Sequence, residues 1–243
     1  MEAKYSYSEL AKMIDHSLLH PALTDKEIVA GCKIAKKYNV ASVCIKPSGI
    51  EIAKAVLLGT DVAVGTVIGF PHGSTLTDVK RYETEAVCKL GATEVDMVIN
   101  IGKALSNEWK YVTYDIKAVV TVAHRYGAIT KVIIETDYIT NKNVKRHLCN
   151  ICEEVGADFV KTSTGFGFVK DDSGKYSYKG ATEYDVELMR KACSPKVLIK
   201  AAGGIRDLDT LIRMRELGVS RIGATATAQI LDEYKRRYNA KEN

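Results

Sequence analysis

The sequence lacks any apolar run long enough to cross a membrane. No stretch approaches the roughly 18 consecutive apolar residues that a transmembrane helix requires. The first ten residues are polar and contain no apolar core of the kind that signal peptides carry. We therefore expect a cytoplasmic protein with no membrane partner, in which the six cysteines stay reduced.

Long basic runs, linkers and low-complexity segments are also missing. Outside the short stretch 235–237, the basic residues are spread along the chain, and the net charge is a modest +5. This charge does not indicate a nucleic-acid partner. A solvated surface accounts for most of it, and a basic pocket for an anionic substrate would account for the rest. Because no change in composition marks a boundary, we expect one domain over residues 1–243.

Short β-rich segments alternate with longer helical patterns. The predicted strands span residues 13–16, 41–46, 62–68, 94–99, 131–135, 159–162, 197–200 and 221–222. The predicted helices span residues 25–38, 49–57, 77–89, 109–126, 141–155, 182–192, 207–217 and 226–238. This alternation indicates βαβ units, and eight units predict a (β/α)8 TIM barrel with a short N-terminal extension. An open doubly wound sheet is disfavoured because no G-x-G-x-x-G motif follows the first predicted strand.

Charged side chains occupy the predicted inner face of several strands. Strand side chains alternate between two faces, and the outer face of a barrel packs on helices, so the apolar alternate positions are assigned outward. The residues that this turns inward include Asp15, Cys44, Glu94, Asp96, Glu135, Lys161 and Lys200. Lysine is almost never buried unless it is paired, and Lys161 and Lys200 end two consecutive strands at the face where barrel enzymes place catalysis. The competing interpretation is a pair of surface lysines that extend into solvent.

Two lysines beside an acid suit covalent chemistry on a carbonyl group. A lysine attacks a carbonyl only as the free amine, and a second cation nearby favours that form. In this hypothesis Lys161 is the nucleophile that forms a Schiff base, and Lys200 stays charged. Asp96 would hold Lys200 and move protons between water, the substrate hydroxyl and the enamine carbon.

Small residues after the last two predicted strands indicate an anion site. Residues 201–204 read AAGG, and residues 223–225 read GAT and lead into a predicted helix. Small side chains let backbone N–H groups approach an anion, and a helix N-terminus favours negative charge. Barrel enzymes often bind phosphate with these two loops, so a phosphorylated substrate is expected.

Six collinear segments spread over nearly the whole chain form a recognisable set. They read IDHSLL at 14–19, VCIKP at 43–47, GFPHG at 69–73, EVDMVIN at 94–100, FVKTSTGF at 159–166 and IKAAGGIR at 199–206. The set resembles the deoxyribose-phosphate aldolases, a class I family of Schiff-base aldolases. The resemblance implies reversible cleavage of 2-deoxy-D-ribose 5-phosphate to D-glyceraldehyde 3-phosphate and acetaldehyde. It also implies that Lys161 forms the Schiff base, Lys200 is its partner, Asp96 relays protons, and no metal or organic cofactor takes part.

Contacts to a small phosphorylated sugar are expected around these three residues. The expected substrate-binding residues are Asp15, Cys44, Thr164, Gly203, Gly204, Gly223 and Thr225. The chain departs from the family at two places. Thr225 and Ala226 stand where the family usually has two serines, and Phe166 stands where some members have lysine. We therefore expect the phosphate to be held more by backbone N–H groups than by charge.

Other functions stay open at this point. The lysines also fit a different sugar-phosphate aldolase or a transaldolase-like transferase, and the barrel could bind a phosphorylated ligand without catalysis. Barrels of this type often self-associate, so a homo-oligomer, either a dimer or a tetramer, is expected.

Two spaced pairs and one cysteine are weaker candidates for chemistry. His16 and His20 invite a metal site, but Pro21 argues against a helical face, and no ligand-rich segment follows. Cys149 and Cys152 form a CxxC inside a helical pattern, where packing is the better interpretation without a second pair. Cys44 is interpreted as a small apolar filler in preference to a thiol that reacts with aldehydes.

Overall fold

Eight parallel strands close into a barrel in the computed structural model, which describes residues 3–170 and 172–238. Including two strands outside the barrel, the strands in chain order are β1 (Ile14–Leu18), β2 (Ser42–Ile45), β3 (Ala63–Ile68), β4 (Glu94–Val98), β5 (Ile129–Ile133), β6 (Phe159–Lys161), β7 (Val169–Lys170), β8 (Tyr176–Ser177), β9 (Leu198–Ala202) and β10 (Arg221–Ala224). Around the barrel the order is β1, β2, β3, β4, β5, β6, β9 and β10, which pairs again with β1. The strands β7 and β8 form a separate antiparallel pair in the connection after β6.

Helices cover the outside of the barrel. They are α1 (Tyr7–Ala11), α2 (Asp25–Tyr38), α3 (Ile50–Leu57), α4 (Thr77–Leu90), α5 (Ile101–Leu105), α6 (Trp109–Arg125), α7 (Lys142–Glu154), α8 (Glu183–Ala192), α9 (Leu208–Glu216) and α10 (Thr227–Tyr238). A 3-10 turn, Pro47–Gly49, precedes α3. No helix in the described part of the chain combines the length and apolar character that a bilayer span needs.

The predicted barrel is confirmed, and the open doubly wound sheet is wrong. The fifth strand lies two residues before its predicted position, at Ile129–Ile133, because Glu135 has a positive φ of 52° and cannot continue a strand. The last two barrel strands extend further than predicted, to Ala202 and Ala224, since small residues at their ends give a weak strand signal. The elements α1, α5 and the β7–β8 pair were not predicted, because they are too short to show a period.

Local sequence explains where the longer elements begin and end. The α2 helix starts with a capping box, in which Thr24 accepts from the backbone N–H of Glu27 and the Glu27 side chain accepts from that of Thr24. The α4 helix ends at Gly91, whose φ of 105° lies in the left-handed region that favours glycine. These ends fix the lengths of the helices, and therefore the positions in the sequence at which the next strands can begin.

The outer and inner faces of the strands differ in chemistry. Outward side chains such as Val95, Met97 and Ile199 are fully buried against the helices and belong to the main hydrophobic core. Inward side chains of the same two strands include Asp96 and Lys200, which are also 0% exposed. The barrel therefore has an apolar layer between strands and helices and a charged interior.

Candidate active site

Lys161 and Lys200 lie side by side inside the barrel. They are direct partners in the β6–β9 register, so their side chains leave the sheet on the same face. Each Nζ donates to Oδ2 of Asp96, and both distances are 2.7 Å. With exposures of 2% and 0%, the two lysines do not fit the surface interpretation. The structure thus brings together the three residues that the sequence analysis singles out for catalysis.

Asp96 accepts hydrogen bonds from three lysines. Its other oxygen, Oδ1, accepts from Nζ of Lys131 at 3.0 Å. Burial alone would raise the pKa of Asp96, but the amino groups of Lys131, Lys161 and Lys200 outweigh burial and hold that pKa well below its usual range. Asp96 is therefore a carboxylate at neutral pH.

Lys200 lies between two acids. Its Nζ is 2.5 Å from Oδ2 of Asp15 and 2.7 Å from Oδ2 of Asp96. Burial opposes its charge, but Asp15 and Asp96 outweigh burial and raise the pKa of Lys200 above its ordinary value. Lys200 is therefore an ammonium group at neutral pH.

Asp15 lies beneath the cavity that holds the two lysines. Its carboxyl is 0% exposed, accepts from Oγ of Ser42 at 2.7 Å and pairs with the guanidinium of Arg221. Burial opposes ionisation, but Lys200, Lys131 and Arg221 outweigh it and lower the pKa of Asp15 below its usual range. Asp15 is not among the residues that line the cavity, whereas the sequence analysis expects it at the substrate. Its position in β1 makes it the counter-ion of Lys200.

Further charges, to which the sequence analysis assigned no role, support this group. Lys131 donates to Oε2 of Glu94 at 2.6 Å, and Arg221 donates to Oε1 of Glu94 at 3.0 Å. Burial opposes the charge of Lys131, but Asp96, Asp15 and Glu94 raise the pKa of Lys131 well above its ordinary value. The alternation of the predicted strand 131–135 contained the signal for Lys131, since the inward face that it assigns to residue 135 also includes residue 131.

A connected set of ion pairs joins these buried side chains. Within the described residues, it links three carboxylates and four basic groups. The members are Asp15, Glu94, Asp96, Lys131, Lys161, Lys200 and Arg221. An uncompensated charge in a buried site is costly, so each of these groups depends on its partners.

A cavity of about 760 Å³ opens above the two lysines, at the carboxyl ends of the strands. Six of the seven residues expected to bind substrate line it, together with both lysines. These are Cys44, Thr164, Gly203, Gly204, Gly223 and Thr225. Asp96, like Asp15, is not among the lining residues and reaches the cavity through the lysines.

The side of the cavity expected to hold phosphate is built from backbone. Gly203 and Gly204 have φ values of 90° and 84°, which side chains rarely adopt. A Cβ on Gly203 would lie 2.8 Å from Cα of Gly180, so the two backbones pack directly against each other. Gly223 lies across the β9–β10 register, and Thr225 comes two residues before α10 begins. These turns leave backbone groups free to approach an anion.

Another part of the cavity rim is aromatic, which was not predicted from the sequence. Phe166 lines the cavity and packs edge-to-face on Phe70, with ring centroids 5.5 Å apart. Phe168 and Tyr178 also line the cavity and form a second edge-to-face pair at 5.6 Å. The sequence carried no period for Phe166, Phe168 and Tyr178 because they lie in the irregular connection between β6 and α8.

Cys44 lies among the charged groups as a neutral thiol. Its Sγ is 3.8 Å from Oδ2 of Asp96. Burial, together with the charge of Asp96, raises the pKa of Cys44 to about 11. Because the thiolate is the nucleophile, this environment agrees with the interpretation of Cys44 as a filler.

The remaining candidates have ordinary contacts. Nδ1 of His16 lies 2.8 Å from Oγ1 of Thr227, and burial lowers the pKa of His16 to about 4. Across residues 3–170 and 172–238, no group of three or more His, Cys, Asp or Glu side chains is arranged to hold a metal ion. Cys149 and Cys152 are free thiols, fully buried in the core on α7, consistent with packing.

Comparison with known proteins gives one consistent family. A family model described as DeoC/LacD family aldolase matches residues 10–229. A deoxyribose-phosphate aldolase from Rhodopirellula baltica is 44% identical over 235 residues, which cover 97% of this chain and 93% of that protein. One from Clostridium perfringens is 45% identical over 224 residues, which cover 92% of this chain and 95% of that protein.

A solved structure agrees. The deoxyribose phosphate aldolase from Aeropyrum pernix, described as having a unique tetrameric structure, superposes with a TM-score of 0.83 at 28% identity. The match covers 95% of this chain and 92% of that chain.

Proposed function

The chain belongs to the DeoC/LacD family of aldolases, and we propose that it reversibly cleaves 2-deoxy-D-ribose 5-phosphate through a Schiff base on Lys161. The products are D-glyceraldehyde 3-phosphate and acetaldehyde. The relatives described above bear the name of this activity. The observation that carries the proposal is that Lys161 and Lys200 meet on one oxygen of Asp96 at the base of a cavity.

Lys161 is the nucleophile because of its place in the site. It lines the cavity, whereas Lys131 does not. Lys200 also lines the cavity, but Asp15 and Asp96 raise its pKa, so Lys200 is the ammonium group and Lys161 is the amine that reacts. The free amine is the form that adds to an aldehyde.

The carbon–carbon bond breaks through an iminium ion. Nζ of Lys161 adds to C1 of the open-chain sugar, and loss of water gives the iminium. As the C3 hydroxyl loses its proton, the C2–C3 bond breaks, its electron pair moves into the iminium, and glyceraldehyde 3-phosphate leaves. The enamine that remains is protonated at C2, and water hydrolyses the imine to release acetaldehyde and the free amine.

Lys200 and Asp96 move the protons. Lys200 lines the cavity beside Lys161 and is an ammonium group, so it can donate a proton to the leaving hydroxide or to the enamine carbon. Oδ2 of Asp96 contacts both amino groups, which gives a path between them inside the protein. Asp15 holds Lys200 from below.

The phosphate lies at the glycine side of the cavity. Gly203, Gly204 and Gly223 supply approachable backbone, and Thr225 supplies one hydroxyl. Phe166 supplies no charge there, so backbone N–H groups carry most of the binding.

Reductive trapping tests the proposal. The protein is incubated with 2-deoxy-D-ribose 5-phosphate and borohydride, and the modified lysine is mapped by mass spectrometry. A label on Lys161 is expected, and Lys80→Met, which removes a fully buried lysine that does not line the cavity, should be labelled normally. A label elsewhere, or no label, contradicts the assignment. Release of acetaldehyde separates this reaction from that of a transaldolase-like enzyme.

We also propose that the barrel is a one-domain catalytic unit that acts in the cytoplasm as a homo-oligomer, either a dimer or a tetramer. The tetrameric description of the Aeropyrum pernix relative supports self-association. Sedimentation equilibrium should give a mass of two or four times 26.7 kDa. A monomer at micromolar concentration would contradict it.

A further inference from the structure

Glu135 has a backbone conformation that its residue type rarely adopts. It follows β5 and has a φ of 52°. Within the described residues, the other non-glycine residues with positive φ are Asn39 and Asn107, and asparagine tolerates this region far better than glutamate. Strain of this kind persists only where the surrounding structure maintains it, and it concentrates at functional sites.

The carboxyl of Glu135 is buried and makes its contacts on one oxygen. The residue is 1% exposed. Oε2 accepts from the backbone N–H of Thr164 at 3.2 Å and from Oγ1 of Thr164 at 2.5 Å. Oε1 has no hydrogen-bond partner. A Cβ on Gly167 would approach this carboxyl to 3.0 Å, so the segment after Thr164 packs closely on it.

The segment that Glu135 contacts is one wall of the cavity. Thr164 and Phe166 line the cavity, and Oγ1 of Thr164 accepts from the backbone N–H of Phe166 at 2.9 Å. Glu135 therefore contacts the wall through a short chain of hydrogen bonds that begins three residues after Lys161.

Residues next to Glu135 hold other parts of the same connection. Oδ1 of Asp137 accepts from the backbone N–H groups of Lys179 and Gly180 at 2.6 and 3.1 Å. The hydroxyl of Tyr138 donates to the carbonyl of Phe168 at 3.0 Å. The turn 135–138 is thus hydrogen-bonded to both ends of the β6–α8 connection. This connection contributes the aromatic rim.

We propose that Glu135 is a positioning residue that holds Thr164 and the wall formed by residues 164–166 in the conformation that binds the distal part of the substrate. The inference rests on the proposed function. Glu135 acts through Thr164, which itself faces the cavity, so its loss weakens substrate binding more than it slows the chemistry at Lys161.

Two amide variants test this role. Glu135→Gln keeps an acceptor at the same distance from Thr164. Glu135→Asn places a residue that suits the positive φ but is too short to reach Thr164. We expect Glu135→Asn to raise KM for 2-deoxy-D-ribose 5-phosphate about tenfold with kcat changed less than about threefold, and Glu135→Gln to stay within about threefold of the wild type. If Glu135→Asn fails to fold, Thr164→Val removes the same hydroxyl contact and should raise KM similarly.

Borohydride trapping of acetaldehyde separates the two possible failures. Acetaldehyde is too small to need the distal wall, so equal labelling of Lys161 is expected in the wild type and both variants. If the wild type is not labelled, the proposed function fails. If labelling is normal but KM is unchanged in Glu135→Asn, or is raised equally in Glu135→Gln, the positioning role is overturned.

Discussion

Nζ of Lys131 lies 3.0 Å from Oδ1 of Asp96, while Oδ2 of the same carboxylate accepts hydrogen bonds from Lys161 and Lys200. Lys131 therefore fixes the orientation in which Asp96 meets the two cavity lysines. It does so from a position that does not line the cavity.

Replacing Lys131 should reduce both stability and activity. In Lys131→Met, Asp96 and Glu94 lose a buried cation, which costs about 3–5 kcal/mol in the free energy of unfolding. We expect kcat/KM to fall about 10- to 100-fold, since Asp96 is no longer held. Thermal melting and steady-state kinetics measure the two effects.

A matched control separates stability from function. Lys145 forms a buried ion pair with Asp185 between α7 and α8, away from the cavity. Lys145→Met should lose comparable stability but keep its kcat/KM below the melting range. If Lys131→Met behaved in the same way, Lys131 would have a structural role only.

Removing Lys200 should slow turnover. Lys200→Leu takes away the ammonium group that lines the cavity beside Lys161, and with it the proton donor of the proposed reaction. We expect kcat at pH 7 to fall about 10²- to 10⁴-fold, as measured by steady-state kinetics. An unchanged kcat at pH 7 would contradict the proton-transfer role of Lys200.

The interior carboxylates should make the fold sensitive to acid. The pKa values of Asp15 and Asp96 are lowered in the folded protein, against about 3.9 for an unfolded aspartate. A lowered folded pKa stabilises the fold above the unfolded value, and this stabilisation is lost as the pH falls through the folded value. Acid should thus lower the melting temperature in two stages. The first lies between about pH 6.5 and 4, where the unfolded chain protonates His16 before the folded one, since burial lowers the pKa of His16 to about 4. The second lies below about pH 4, where the two aspartates are protonated.

Variants locate this acid transition. Asp209→Asn removes an exposed acid and should leave the transition in place. Lys131→Met removes a cation that lowers the pKa of Asp96, so the transition should move to higher pH. Circular dichroism melts between pH 2 and 7 measure both. If Lys131→Met left the transition where it was, the buried network would not be its source.

A side chain at Gly203 should damage the phosphate end selectively. A Cβ there would meet Gly180 at 2.8 Å, and the φ of 90° is strained for any L side chain. We expect Gly203→Ala to cost about 1–3 kcal/mol and to raise KM for 2-deoxy-D-ribose 5-phosphate at least about tenfold. Trapping of acetaldehyde on Lys161 should persist.

Gly156→Ala is the control for backbone strain alone. Gly156 has a φ of 80°, and a Cβ there would meet nothing within 4 Å. This variant should lose stability without a change in KM. Equal effects on KM in both variants would mean that strain, and not the closeness of Gly203 to the cavity, is responsible.

Local sequence patterns are enough to give the order of the elements and the inward direction of the key lysines. Alternation of apolar residues is a local property, so the faces of residues 94–99 and 197–200 could be read without knowing which strands are neighbours. The same rule put Lys161 and Lys200 inside the barrel. The αβ junctions at Gly91 and Gly156 were equally local, because a helix end needs a left-handed residue whatever lies beyond it.

Which charges meet depends on strand register and on closure of the barrel. The contact of Lys131 with Asp96 and Glu94 depends on the register of β4 with β5, and that of Asp15 with Arg221 on closure between β1 and β10. These pairings join residues up to 206 positions apart, and their energies depend on burial, which no local pattern encodes. The placement of Asp15 beneath the cavity follows from that closure, and the packing of Thr164 and Gly167 on Glu135 follows from the path of the chain after β6. The chain thus specifies its chemical groups locally, while the closed barrel fixes the charges and distances that let them act together.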